Sequence, residues 1–145
     1  MSTRPFHLAF PVNNIESTRD YYTRILSCSV GRESEMWIDF NLYGHQVVAH
    51  LSPDDCTPSH LNYVDGDEIP VRHFGVILDW DEWENLCDRI EKMNSEYFIK
   101  PRIRFRGKKG EQATFFILDP SGNALEFKAF KHDSMIFAKE LFTDR

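Results

Sequence analysis

One order of elements, strand–helix–strands, occurs twice in this chain, and that repetition restricts the fold more than any single residue does. "FHLAFPV" (6–12) alternates as a short strand with Phe6, Leu8 and Phe10 on one face. "NNIESTRDYYTRIL" (13–26) follows as a helix: Asn13 with Glu16 fits a capping box, and Ile15, Tyr22, Ile25 and Leu26 form its apolar stripe. Strands near 29–33, 36–42 and 46–51 complete the first half, with "YGHQ" as the last turn. The second half opens on the strand "RHFGVIL" (72–78), then a helix over 79–93 begun by Asp79 with Glu82. "EYFIKP", "RIRF", "ATFFIL" and "NALEFKAF" are its strands, with tight turns at "GKKG" and "DPSG". Residues 52–70 join the halves; they are rich in Pro, Asp and Ser without a usable period, and read as a linker or surface loop. The tail from Lys131 holds "SMIFAKELF", an expected amphipathic helix that packs on a partner.

Bulk composition narrows the function classes. A chain of 145 residues with 41% hydrophobic and 14% aromatic content builds a true core as a single domain or two modules sharing one. A net charge of −6 argues against nucleic-acid binding, which needs a basic footprint. No apolar run approaches the ~20 residues of a membrane span, and the N-terminus lacks a signal-peptide pattern. Cys28, Cys56 and Cys87 are an odd number with no CxxC pair, as expected of a reduced cytoplasmic protein.

The two opening strands align on their histidines. His7 falls on His73, Leu8 on Phe74, Phe10 on Val76 and Val12 on Leu78. The face opposite the apolar one carries His7, Ala9 and Pro11 in the first half and His73, Gly75 and Ile77 in the second. A lone strand histidine is usually structural or solvated, but two at one position of a repeated unit are harder to dismiss. Glu126 interrupts the strand "NALEFKAF", opposite in face to Leu125, Phe127 and Ala129; alternating polar positions ordinarily face water. With the repeat folded on itself, His7, His73 and Glu126 would meet in one concavity. Two neutral imidazoles and a carboxylate with open positions make the facial triad of a non-haem Fe(II) site, and Mn(II) or Zn(II) also suit it.

The stretches "FHLAFPVNNIESTRDYYTRIL", "RHFGVIL" and "FFILDPSGNALEF" resemble the vicinal oxygen chelate superfamily, which includes glyoxalase I, extradiol dioxygenases, and fosfomycin- and bleomycin-resistance proteins. The resemblance spans roughly 6–130 and implies an α+β fold of paired βαβββ modules, a cupped mixed sheet around a metal site. It implies one domain over 1–145: module one about 5–52, linker 53–70, module two about 71–130 and tail 131–145. Its metal ligands fall on His7, His73 and Glu126. Glyoxalase I has a further carboxylate ligand and base on the first module's last strand; the best match here is His50 in "HQVVAHL" (45–51), with Gln46, Val48 and His50 on the inward face. His50 is then a fourth ligand, an acid/base group or a hydrogen-bonded core residue.

Loss of that carboxylate counts against a glyoxalase I reaction, while the three-ligand set suits an extradiol dioxygenase. The ring-cleaving enzymes carry a Tyr ten positions before the glutamate, where this chain has Phe116, and most are about twice as long. Arg102, Arg104 and Arg106 share one face of "RIRFR", either as a solvated hairpin or as a lining that favours an anionic substrate. With Gln46 they are expected to position substrate. The expected function is a divalent-metal enzyme acting on a small substrate chelated through vicinal oxygens, with dioxygenase chemistry ahead of lyase, isomerase or fosfomycin-type chemistry. The alternative is a drug-sequestering protein of the bleomycin-resistance type. Members of this length are commonly dimers, so a homodimer is expected, without nucleic-acid or membrane partners.

Overall fold

The structure is a computed structural model, and it describes residues 3–140. It has two compact units: one takes the chain up to Arg72 together with Leu118–Asn123, the other takes His73–Ile117 and the chain from Ala124 onward. Both combine one helix with a mixed sheet, which is the α+β class.

In the first unit, β1 (His7–Val12), α1 (Ile15–Arg24), β2 (Ser29–Glu33), β3 (Trp37–Leu42) and β4 (His45–Leu51) form a four-stranded sheet in the order β1-β4-β3-β2. β1 runs parallel to β4, and β3 is antiparallel to both β4 and β2. Leu8, Phe10 and Val12 turn toward the helix side, where Tyr22 stacks between Phe10 (centroids 5.6 Å apart) and Phe40 (4.9 Å). The helix cap lies one residue later than the sequence pattern suggests. Asn14 accepts the Ser17 N–H, because the Asn13 backbone and side chain are instead engaged by Ser121. The β3–β4 turn is Tyr43–Gly44 with both φ positive, the twist that a two-residue hairpin requires.

The joining segment is more ordered than its composition suggests. A 3₁₀ turn at Pro53–Asp55 precedes a hairpin of β5 (Leu61–Val64) and β6 (Asp67–Pro70). Its turn, Asp65–Gly66, repeats the positive-φ pair. The Asp-Gly dipeptide was the local signal for this hairpin.

In the second unit the opening strand is split into β7 (His73–Phe74) and β8 (Ile77–Leu78), both parallel to β11 (Ala124–Phe130). Asp79 caps α2 (Trp80–Lys92) through the Glu82 N–H, as the sequence suggested. The two strands expected in 96–105 are one, β9 (Ile99–Arg104), antiparallel to β10 (Gln112–Leu118). Pro101 is tolerated there because β9 is the sheet edge in the order β7-β11-β10-β9. Trp83, Leu86 and Ile90 of α2 are buried together with Phe115, Leu125 and Phe127, and Trp83 Nε1–H donates to the Phe127 carbonyl at 2.9 Å.

Within the tail the structure has a 3₁₀ turn at Asp133–Met135 and no α-helix over 134–140; the rest of the expected helix lies outside the described residues. No helix among the described residues is long and apolar enough to cross a membrane.

Candidate metal centre

Glu126 stands on the polar-alternating face of β11, with Leu125 and Phe127 fully buried on the other. Its side chain is 17% exposed, so it does not lie on a wet outer face. Oε1 is 3.3 Å from His73 Nε2, and Oε2 accepts a hydrogen bond from Thr114 Oγ1 at 2.5 Å. Burial by itself would raise the Glu126 carboxyl, but the bonds from His73 and Thr114, with Lys128 nearby, outweigh it and hold the group below the usual glutamate range. A carboxylate that stays ionised while mostly buried is a competent metal ligand. The His73 ring is held from another side by Phe116, edge-to-face at 5.0 Å.

Gly75 lets this pair form. A Cβ at that position would lie 1.6 Å from the Glu126 carbonyl oxygen and 2.6 Å from its carbon. Only glycine permits the opening strand to approach β11 this closely, and the approach breaks it into β7 and β8 around residues 75–76.

In the first unit His7 is in register with Gln46, Ala9 with Val48 and Pro11 with His50. The side chain beside His7 is therefore Gln46, whose Oε1 is 2.8 Å from His7 Nδ1. With the amide oxygen as acceptor, Nδ1 carries the proton and Nε2 keeps its lone pair. His50 shares this face, but four residues further along β4, about 13 Å from Gln46 at strand spacing. His50 is exposed, with Trp37 as its β3 neighbour. A cleft of about 640 Å³ opens beside His7 and Gln46 and runs past Asn41, Asp39, Ser29 and Arg32. That is within the volume range of small-molecule sites.

The "DPSGN" part of the sequence signature does structural work. Asp119, 5% exposed, accepts the Tyr22 hydroxyl, the backbone N–H of Ser121 and Asn123, and the Asn123 amide. Asn123 Nδ2 also donates to the Pro11 carbonyl. The turn is thus pinned to β1 and α1, seven positions before Glu126.

The β9–β10 register pairs Arg104 with Gln112 and Arg102 with Thr114, placing both arginines on the face that Thr114 shares with Glu126. Arg106 lies beyond the strand, after Phe105 turns the chain at φ +54°. The row of three predicted from alternation is a pair.

The donors of the second unit fit a divalent metal. Bonds of about 2.0–2.2 Å to imidazole nitrogen and carboxylate oxygen place neighbouring donors roughly 3 Å apart, close to the observed His73–Glu126 separation. Among the described residues no three His, Cys, Asp or Glu side chains converge in one metal-binding group. The structure brings together His73, Glu126 and Phe116, and separately His7 and Gln46. Sequence reasoning missed Thr114, Asn41 and Asp39: a threonine inside an apolar strand carries no local sign of the carboxylate it meets across the sheet.

The two units, each a helix on a mixed sheet with a histidine at the start of its opening strand, define a class of small α+β proteins. Residues 4–127 match the Glyoxalase/Bleomycin resistance protein/Dioxygenase superfamily, and the chain belongs to that family. A glyoxalase/bleomycin resistance protein/dioxygenase from Alicyclobacillus acidocaldarius is 30% identical, covering 93% of this chain and 97% of its own, with TM-score 0.74. The fosfomycin resistance protein FosX from Listeria monocytogenes is 16% identical over 94% and 100% of the two chains (TM-score 0.65). Lactoylglutathione lyase from Agrobacterium tumefaciens is 14% identical over 88% and 94% (TM-score 0.63). The last two likenesses show the fold alone. No curated protein matches the sequence significantly.

Proposed function

We propose that the protein is a divalent-metal enzyme that binds a small substrate through adjacent oxygens, with His7, His73 and Glu126 as ligands and Fe(II) preferred over Mn(II) or Zn(II). The observation that carries this reading is the mostly buried Glu126, kept ionised by His73 and Thr114 at a separation suited to shared coordination. A metal held there would act as Lewis acid and as a template for the substrate's oxygens. The chain's own residues do the rest. Thr114 fixes one carboxylate oxygen, Phe116 sets the plane of the His73 ring, and Gln46 holds His7 in the tautomer whose Nε2 can coordinate.

Oxidative cleavage is favoured over glyoxalase-type isomerisation or lyase chemistry because the inward face of β4 carries Gln46, Val48 and His50, with no carboxylate to act as base. Phe116, in place of the tyrosine of ring-cleaving relatives, leaves substrate packing rather than proton donation as its role. His50, four residues beyond Gln46 on the same face of β4 and in register with Pro11, is the candidate proton-transfer group only if substrate reaches that far along the strand. We further propose a twofold homodimer with two equivalent sites. The three cysteines are free thiols, which supports a reducing, cytoplasmic setting.

A second reading, sequestration of a small molecule without catalysis, is favoured by the open cleft beside His7 and Gln46. Metal analysis of anaerobically purified protein separates the two. About one metal per chain, lost in His73→Ala and in Glu126→Gln with circular dichroism unchanged, is expected of the enzyme. Full metal occupancy in either variant removes the site, and ligand capture by metal-free wild type favours sequestration. Co-refolding His7→Ala with Glu126→Ala chains tests ligand sharing: regained metal means that two chains contribute to a site. A monomer by light scattering at micromolar concentration would refute the dimer.

A further inference from the structure

We propose that β5 (Leu61–Val64) pairs with β5 of a second copy of this chain, so that the hairpin of the joining segment is the contact that builds the twofold homodimer. This deepens the dimer proposed above by naming its surface, and it takes nothing from the metal site. The hairpin is a sheet of its own: among the described residues β5 pairs only with β6. Two strands alone are marginally stable in water. This pair also leaves apolar side chains in solvent on one face of β5, Tyr63 at 77% exposure and Leu61 at 39%, where a third strand would flank them.

The two edges of the hairpin differ, and the difference selects β5. The Val71 N–H donates to the His60 carbonyl at 2.7 Å, so His60 and Val71 are a hydrogen-bonded pair of the ladder. Alternation along the register makes Asn62–Ile69 and Val64–Asp67 hydrogen-bonded pairs as well. The backbone groups of Leu61 and Tyr63 therefore point outward from β5, and those of Glu68 and Pro70 outward from β6. The β6 edge is blunted: Pro70 has no N–H to offer, and Glu68 would bring like charges together. β5 reads Leu-Asn-Tyr-Val, with no charge and no proline, and it presents a donor and an acceptor at both outward positions. That edge is self-complementary about Asn62. A second β5, antiparallel, sets Leu61 opposite Tyr63 of the partner subunit and Asn62 opposite Asn62 of the partner subunit. Apolar side chains then meet on one face and amides on the other, which fits a second copy better than an unrelated strand. The resulting sheet ends on β6 at both sides, so growth stops at the dimer.

The test is cross-linking and light scattering of the full chain. Asn62 and its counterpart form a non-hydrogen-bonded pair with Cα atoms about 4.5 Å apart, within disulfide reach. In a Cys56→Ser background, which leaves only the buried Cys28 and Cys87, Asn62→Cys should become a covalent dimer with oxidised glutathione. Val64→Cys should not, because its counterpart lies four residues further along the strand, about 13 Å away. Asn62→Lys sets like charges opposite each other and should weaken the dimer by about tenfold, with circular dichroism unchanged. Mixing Asn62→Lys with Asn62→Asp chains should restore it; no gain in the mixture overturns the apposition of the two Asn62 positions. Equal cross-linking of both cysteine variants, or a wild-type dimer constant in Asn62→Lys, overturns this surface and leaves the homodimer resting on another. A monomeric wild type overturns the surface and the homodimer together.

Discussion

His7 and His73 occupy the same position of a repeated unit, yet the two histidines have different company. His7 meets the neutral amide of Gln46 across a parallel strand pair, and both side chains are exposed at a cleft. His73 meets the carboxylate of Glu126, with Phe116 against its ring and Thr114 behind the acid. The neighbouring strand gives one half a neutral, open hydrogen-bonding pair and the other a charged pair whose carboxylate is mostly buried. Of the proposed metal donors the second half supplies two, His73 and Glu126, and the first half one, His7.

The largest expected effect comes from the residue two places beyond each histidine. Gly75→Ala should cost about 3 kcal/mol of folding stability or more, the upper range for forced overpacking, because the new Cβ meets the Glu126 backbone. Ala9→Gly, the matching position of the first half, should cost only about 1 kcal/mol, as an ordinary strand Gly/Ala difference. Urea denaturation of the two variants checks the pair; equal losses would mean that the close approach is not peculiar to the second half.

Next in size are the supporting residues of the two histidine sites. Thr114→Val keeps shape but removes the donor to Glu126, and should weaken metal affinity by about 10–100-fold. Gln46→Ala should fall at the lower end of that range, since it frees the His7 ring without unbalancing a charge. Competition titration with a metal-indicator dye measures both. A larger loss from Gln46→Ala would reverse the ranking of the two halves.

The Tyr22–Asp119 bond supplies a pH-dependent contrast. Burial first, and then the Asp119 carboxylate, push the Tyr22 phenol well above its ordinary value. Because the folded-state value is raised, the stabilisation is complete below the unfolded value of about 10 and is lost as pH rises through and beyond it. Tyr22→Phe should be less stable than wild type by about 2 kcal/mol near neutrality, the scale of a hydrogen bond to a charged acceptor. Its stability should also fall less between pH 10 and 11. Parallel pH curves for the two proteins would show that Tyr22 does not govern alkaline unfolding.

The smallest effect is expected from His50→Ala. His50 is exposed and in register with Pro11 rather than His7, so the substitution should leave metal affinity within about twofold and stability within about 0.5 kcal/mol, as for other surface changes. A collapse of turnover with metal binding intact would return His50 to proton transfer.

Short-range pattern determined a good deal of this protein. Period-2 and period-3.6 runs placed both helices and most strands, and the alignment of His7 with His73 exposed the repeat. Alternation in "NALEFKAF" put Glu126 opposite the core residues, and Asp79 announced the start of α2. The Asp65–Gly66 pair is a local hairpin signal too, but the Pro- and Asp-rich composition around it led to a loop being read there. Each of these rests on contacts within a few residues along the chain. What only the tertiary structure decided is who stands beside whom. Gln46 rather than His50 flanks His7, because a slip of two residues leaves every side chain on the same face and so leaves no trace in the alternation. Thr114 reaches Glu126 from twelve residues away, and Arg102 and Arg104 keep to that face while Arg106 leaves it at one positive φ. Asp119 and Asn123 clamp a turn onto β1 and α1 across about a hundred residues of sequence. Local sequence fixes the direction of a side chain; its neighbour, and with it the charge state and chemistry of the site, depends on the register between distant strands.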